Sequence, residues 1–366
     1  MGTELLFVHS SDELYGADRV LGYILNSLTD SERRTARVWL PSDLEHGAFP
    51  LCERIEAQGV RVDHVPLPIL RRANLTPAGL TDLARRSAAF RRHCARLSPA
   101  TVYGTTSATL PALAALTGAP TRVLLHNEGV WKPKEAQILG RLARNVNRVI
   151  AISAATRDSM PQVLQDRTVV VANTTPDPFE TPGFAGLAEV PSEPLRFLAA
   201  GRWTANKGFD VLIDAWNQAP SGQLTIVGGP PPSGGSLDID QLVAHSPQRD
   251  SITLVREVDS ILPLLAQSHV VVMPSTWDEP FGLVALEGMA AGRPVIASEV
   301  GGLAQFVNSN VGWLVPPSDP AALADALRAV RHDVVMTKGA RAREEYLDKF
   351  SPQRFRSAWR GAVGLS

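Results

Sequence analysis

At 366 residues the chain exceeds what one comfortable core encloses, so two domains of about 150–200 residues are expected. Hydrophobic residues make up 44%, charged residues 20%, and the net charge is −1, so no whole-chain field favours nucleic acid. Two cysteines, Cys52 and Cys94, build no disulfide framework and fit a reducing compartment.

The opening MGTELLFVHSSDE has no basic n-region, and its apolar run is too short for a signal peptide. Leu6 stands where a myristoylation signal needs Ser or Thr. Nothing approaches the roughly 18 apolar residues of a spanning helix. The expected location is cytoplasmic, at most peripheral on the inner face of a membrane.

Short runs rich in Val, Ile and Leu follow in chain order: LLFVH (5–9), ARVWL (36–40), VRVDHV (60–65), ATVYG (100–104), RVLLH (122–126), RVIAIS (148–153) and TVVVA (168–172). Helical patterns intervene at 17–28, 77–97 and 153–165. Continuous apolar strands separated by helices predict a parallel sheet covered on both faces. Residues 173–194, crowded with Pro, Gly and acids, show no period and predict a linker.

The alternation restarts with LRFLAAG (195–201), LTIVG (224–228), SITLV (251–255), HVVVMPS (269–275), PVIAS (294–298) and GWLVPP (312–317). Helices are expected at about 206–217, 257–266, 283–291, 319–332 and 335–348, and a final amphipathic one at about 351–363. The fold class is therefore α/β, with two Rossmann-like, doubly wound parallel-sheet domains expected to face a cleft. The expected boundaries are 1–175 for the first domain, 176–194 for the linker and 195–350 for the second.

Charge is uneven along the chain. Between His64 and Asn127 the only acid is Asp82, against Arg71, Arg72, Arg85, Arg86, Arg91, Arg92, Arg96 and Arg122. This stretch is either an ordinary solvated basic face or a surface for an anionic acceptor or membrane.

Four constellations carry chemistry. In WDEPFGLVALEGMAAGRPVIAS, Glu279 precedes Phe281, Gly282 and Leu283, where a helix begins. The first amides of a helix lack internal partners and suit a diphosphate. Glu287 lies in the same apolar helix, where an ionised carboxylate needs donors; a ribose diol offers two. In LAAGRWTANKGFDVLIDAW, Arg202 and Lys207 flank a strand-to-helix turn, placed to meet charge growing on a departing diphosphate. Gly16, in Tyr15-Gly16-Ala17-Asp18-Arg19, opens a helix after the first strand. His126 ends a strand at the same sheet edge, followed by Asn127 and Glu128. For each, an ordinary helix, turn or structural histidine is the competing account.

Together these segments resemble the family-4 retaining glycosyltransferases of the GT-B fold, over nearly the whole chain. The resemblance is most specific in the E-x7-E spacing of Glu279 and Glu287 and in Gly201-Arg202 to Lys207-Gly208. It implies that Arg202 and Lys207 bind the donor diphosphate, with Glu279 on donor-sugar hydroxyls. It places the amides of Phe281, Gly282 and Leu283 on the sugar and β-phosphate, and Glu287 on the ribose. His126 would lie beside the transferred sugar and Gly16 under the diphosphate. The base would rest near Arg256 to Val258, although Val255-Arg256-Glu257 lacks the family's usual glycine. The final helix would cross back onto the first domain. Glu128 and Trp131 are the candidate acceptor contacts.

The implied reaction is sugar transfer, with retention, from a UDP- or GDP-linked donor to a hydroxyl acceptor in polysaccharide, glycolipid or glycosylated-metabolite synthesis. No carboxylate stands out as a nucleophile, which favours front-face displacement. No cofactor is expected, and no metal site: Asp238-Ile239-Asp240 sits on a loop or helix start rather than after a strand. The expected partners are the donor and an unidentified hydroxyl acceptor, lipid-linked or anionic, with peripheral membrane contact through Arg85 to Arg96. A nucleotide-sugar epimerase or phosphorylase of the same fold, or a silent sugar-nucleotide binder, is the alternative. A nicotinamide enzyme fits less well, because no G-x-G-x-x-G follows the first strand.

Overall fold

A computed structural model describes residues 4–44, 49–71, 76–118, 120–126, 129–230 and 235–365. The chain divides into two compact units, residues 1–173 with 355–366, and residues 174–354.

The first unit is built on seven parallel strands: β1 (Leu5–Val8), β2 (Arg37–Pro41), β3 (Arg61–Val65), β4 (Thr101–Gly104), β5 (Thr121–His126), β6 (Arg148–Ala151) and β7 (Thr168–Val170). Their order in the sheet is β3-β2-β1-β4-β5-β6-β7. β1, β5 and β6 are buried through most of their length, which explains why they read as unbroken apolar runs. The core gathers Leu6, Val8, Phe90, Val102, Leu124 and Val149.

Proline and capping residues set several helix limits. The basic helix Pro77–Leu97 starts where the Thr76 hydroxyl accepts from the Gly79 amide, with proline at its first position. The helix expected over 153–165 is two short ones, Ala154–Asp158 and Gln162–Gln165, because Pro161 cannot continue the first. The helix Pro352–Val363 brings Phe355 and Trp359 onto the first unit, whose Arg360 grips Glu32 at 2.7 and 3.1 Å.

The second unit carries six parallel strands: β8 (Arg196–Ala200), β9 (Gln223–Val227), β10 (Ile252–Val255), β11 (Val270–Met273), β12 (Val295–Ser298) and β13 (Gly312–Val315). Their order is β10-β9-β8-β11-β12-β13. Both sheets therefore reverse direction of winding beside their first strand, between β1 and β4 and between β8 and β11. Open α/β sheets bind ligands at that switch point, beyond the strands' C-terminal ends. The helix expected at 257–266 shrinks to Leu262–Leu265, since residues 256–260 are exposed and bury no face.

The stretch expected to be a linker, 176–194, is part of the second unit and is pinned to it. Leu187 and Val190 are buried. Arg343 reaches Asp177 at 2.7 Å. The buried Arg293 guanidinium donates to the carbonyls of Ala185, Ser268, Ala266 and Ala291. Burial pushes that guanidinium down to about 10.

Candidate functional site

In the second unit the switch point is occupied by an ion pair. Lys207, at the end of the turn after β8, places Nζ 2.8 Å from Oε2 of Glu279, in the loop after β11. Ser275 Oγ donates to the same oxygen at 3.1 Å. Glu279 is buried, and its carbonyl accepts from the Gly302 amide at 2.6 Å. The turn is tight: Gly208 has φ +68°, and a Cβ there would meet the Pro274 carbonyl oxygen at 2.0 Å. Only glycine fits.

Glu279 leads into the helix Leu283–Ala290, whose N-cap Gly282 has φ +104° and stands against Leu303. The amides of Leu283, Val284 and Ala285 precede the first internal bond, from Leu286 N to Gly282 O, and remain available to an anion. The Phe281 ring is buried and stacks on Phe306 at 5.0 Å. Glu287 is 6% exposed on this helix. Arg202 is exposed on the same turn as Lys207.

The loop after β10 is further committed. Arg256 holds both oxygens of Asp240, at 3.0 and 3.1 Å, and covers the buried Trp203 ring at 4.9 Å. Val258 is exposed beside it. Asp238 caps the helix Ile239–Ala244 by accepting from the Gln241 amide. Both acids of the Asp-x-Asp run thus have structural work.

At the switch point of the first unit lies a buried polar network. His9, directly after β1, contacts Asp18 Oδ1 at 2.8 Å through Nε2 and meets the Thr105 hydroxyl through Nδ1. Ser11 donates to Asp18 at 2.7 Å, and the Tyr15 amide donates at 3.0 Å. Burial alone would raise the Asp18 pKa, but the bond and charge of His9, with Ser11 and Tyr15, hold it below the usual carboxylate range. The network fixes the loop that delivers Gly16 to the start of the helix Gly16–Asn26.

His126, at the end of β5, is fully buried, with Nδ1 3.2 Å from Ser107 Oγ. Its Nε2 has no partner among the described residues. Burial pushes the imidazole down to about 4, so it is neutral near pH 7. Trp131 is also buried, and its indole nitrogen donates to Ser107 at 3.0 Å. Its side chain is committed to the interior rather than offered to an acceptor. Glu128 lies outside the described residues.

Among the described residues, Asp12, Cys52 and His64 are the one group spaced to hold a metal. Asp12 already accepts from the Leu51 and Cys52 amides and from His64 at 2.9 Å. Burial and the charges of Glu56, Asp12 and Glu53 push the Cys52 thiol up to about 11. As folded, the trio is a brace tying the loop after β1 to β3 and to the helix Pro50–Ala57.

Reasoning from sequence missed His9, Asp18 as its partner, Ser107 and Ser275. His9 carried a usable signal, since it ends a strand at the sheet edge as His126 does. Ser107 carried none.

Residues 194–333 match the family model described as glycosyl transferases group 1. Over 156 residues the chain is 40% identical to a D-inositol 3-phosphate glycosyltransferase of Jonesia denitrificans, covering 39% of this chain and 36% of that protein. It is 31% identical over 234 residues to a phosphatidyl-myo-inositol mannosyltransferase of Mycobacterium leprae, covering 61% and 58%. The chain thus spans about a third of the first relative's length and under two-thirds of the second's. In fold it resembles Anabaena HepE in complex with UDP-glucose, with a TM-score of 0.81, 20% identity, and 99% and 100% of the two chains covered. Sucrose-phosphate synthase of Thermosynechococcus elongatus superposes with a TM-score of 0.79 at 22% identity, covering 99% and 100%. Residues 194–333 thus resemble the group 1 glycosyl transferases, and the fold, with two Rossmann-like parallel-sheet units, is of the GT-B type.

Proposed function

We propose that this chain is a retaining, metal-independent glycosyltransferase, moving a sugar from a UDP- or GDP-linked donor to a hydroxyl acceptor. The observation that carries the reading is the Lys207–Glu279 pair at the β8/β11 switch point, beside the open amides of the helix Leu283–Ala290. That combination provides a cation, a hydroxyl-accepting carboxylate and an anion-binding helix end within one loop cluster.

In the proposed step the acceptor oxygen bonds to the anomeric carbon on the face the diphosphate leaves. The carbon–oxygen bond to the β-phosphate breaks, and its electron pair stays on the phosphate oxygen. The acceptor's proton passes to a phosphate oxygen. Lys207 and Arg202 stabilise the charge that grows there, more in the transition state than before it. Glu279 accepts from sugar hydroxyls, Glu287 from the ribose diol, and the loop around Arg256 and Val258 carries the base.

The complex of HepE with UDP-glucose supports a nucleotide-sugar donor here. Relatives that act on inositol phosphate and phosphatidyl-inositol support an anionic acceptor. Exposed Arg85, Arg91, Arg92 and Arg96 on the helix Pro77–Leu97 support recognition of negative charge, including a membrane surface. No described helix is long and apolar enough to cross a membrane.

The test is a thermal-shift screen of UDP, GDP and their sugars on wild type and Arg202→Ala, followed by turnover with and without EDTA. One nucleotide stabilising the wild type more than the variant is expected, with turnover unaffected by EDTA and an α-linked donor giving an α-linked product. Stabilisation by no nucleotide overturns the donor assignment. An inverted product overturns retention, and loss of turnover in EDTA that a divalent ion restores overturns metal independence.

A further inference from the structure

Three metal-binding side chains converge from separate segments of the first unit. Asp12 follows β1, Cys52 lies in the first turn of the helix Pro50–Ala57, and His64 is in β3. One ligand atom from each lies within 4.8 Å of the other two. A tetrahedral zinc, with bonds of about 2.0 Å to oxygen and nitrogen and about 2.3 Å to sulfur, holds its ligand atoms roughly 3.3–3.6 Å apart. The trio needs only small side-chain adjustments to reach that spacing.

The carboxylate of Asp12 is fully buried. Its Oδ1 accepts from the Leu51 and Cys52 amides, each at 3.0 Å, and its Oδ2 accepts from His64 Nε2 at 2.9 Å. A carboxylate has about four lone-pair sites, so Oδ2 keeps capacity for a cation. The amides hold the carboxylate in place, and the Phe49 ring packs on the His64 ring at 4.9 Å. Glu56, Asp12 and Glu53 put a negative field on the Cys52 sulfur. A field that opposes a bare thiolate favours a divalent cation bound to it. Cys52 is half-buried and His64 exposed, which leaves an ion a way in.

We propose that Asp12, Cys52 and His64 bind a divalent cation of the zinc class, which clamps the loop after β1 to β3 and to the helix Pro50–Ala57. One sulfur, one imidazole nitrogen and one carboxylate oxygen select such an ion over magnesium or calcium, which take oxygen ligands. Water fills the fourth position. Binding replaces the His64–Asp12 hydrogen bond by two bonds to the metal. His64 gives its Nε2 lone pair, and its ring proton is exchanged through solvent onto Nδ1. Cys52 binds as the thiolate, and its proton is released to water. The clamped loop leads directly into the His9–Asp18 network and Gly16. None of the three ligands acts in sugar transfer, so the site stands apart from that reading.

The experiment uses the full chain without a tag, stripped by a chelator and titrated with Zn2+ or Co2+ in a non-coordinating buffer. One cation per chain is expected to bind. Zinc at about a hundredfold over its dissociation constant is expected to raise the thermal midpoint by about 5 °C or more. Magnesium is expected to leave the midpoint unchanged. Cobalt is expected to give a thiolate-to-metal charge-transfer band, lost in Cys52→Ser and kept in Cys94→Ala. Cys52→Ser and His64→Gln are each expected to weaken zinc binding by more than about tenfold. Absence of a midpoint rise with zinc overturns the proposal, as does an equal rise with magnesium. A cobalt band that survives Cys52→Ser overturns it too, as does zinc affinity unchanged in His64→Gln.

Discussion

Lys207 and Glu279 meet at 2.8 Å although 72 residues separate them, and the meeting is arranged by two strands that are neighbours in the sheet. Each side chain is the other's main charged partner. Lys207→Met is expected to lower kcat by about a hundredfold or more, because a cation facing the leaving group is lost. Glu279→Gln should instead raise KM along with its loss of kcat, as sugar hydroxyls lose a charged acceptor. Steady-state kinetics with the donor identified by thermal shift check both, with far-UV circular dichroism confirming the fold.

Gly208 allows the Lys207 turn to press against Pro274. Gly208→Ala sets a Cβ 2.0 Å from that carbonyl oxygen at a positive φ. Backbone must move, and the expected outcome is a loss of about 2 kcal/mol or more in urea unfolding, together with activity. A Gly364→Ala control, at a positive φ but in open space, should cost less.

His126 makes stability depend on pH. Its folded value lies near 4 and its unfolded value near 6.5, so the unfolded chain binds the proton first as pH falls. The neutral-ring contribution is complete above pH 6.5, drains away between 6.5 and about 4, and changes no further below that. The full span corresponds to ~3 kcal/mol. His126→Gln is expected to flatten that portion of the stability curve, measured by denaturant midpoint at stepped pH.

The basic helix offers a separate test. Arg91, Arg92 and Arg96 are exposed. Replacing all three by Gln is expected to weaken binding to anionic vesicles on the order of a hundredfold, at about 1 kcal/mol per charge. Equal binding of wild type to neutral and anionic vesicles in a flotation assay would rule out the membrane proposal.

Much of this was legible because parallel strands buried on both faces announce themselves as apolar runs. LRFLAAG and HVVVMPS read as strands, and their ends delivered Gly201-Arg202 and Pro274-Ser275 to the sheet edge. Glu287 was legible as a charge out of place in an apolar helix. Contacts made across the sheet were not. Nothing in Trp131 pointed to Ser107, 24 positions earlier. Arg256 read as a base contact, while its grip on Asp240 and its seat on Trp203 depend on a helix start and a turn brought in from elsewhere in the chain. Helix limits failed where proline intervened, as at Pro161, and where no face was buried, as at 256–260.

The first unit is also assembled out of order. Val20, Ile24, Leu125, Ile150 and Ile152 line a recess that Phe355 and Trp359 close, yet those two residues are translated after the whole of the second unit. At ribosomal speed the recess stays uncapped for on the order of tens of seconds, with the strands around it already made. The nascent protein therefore carries an apolar opening for a chaperone to shield, and a ribosome stalled before Phe355 would leave that opening permanent.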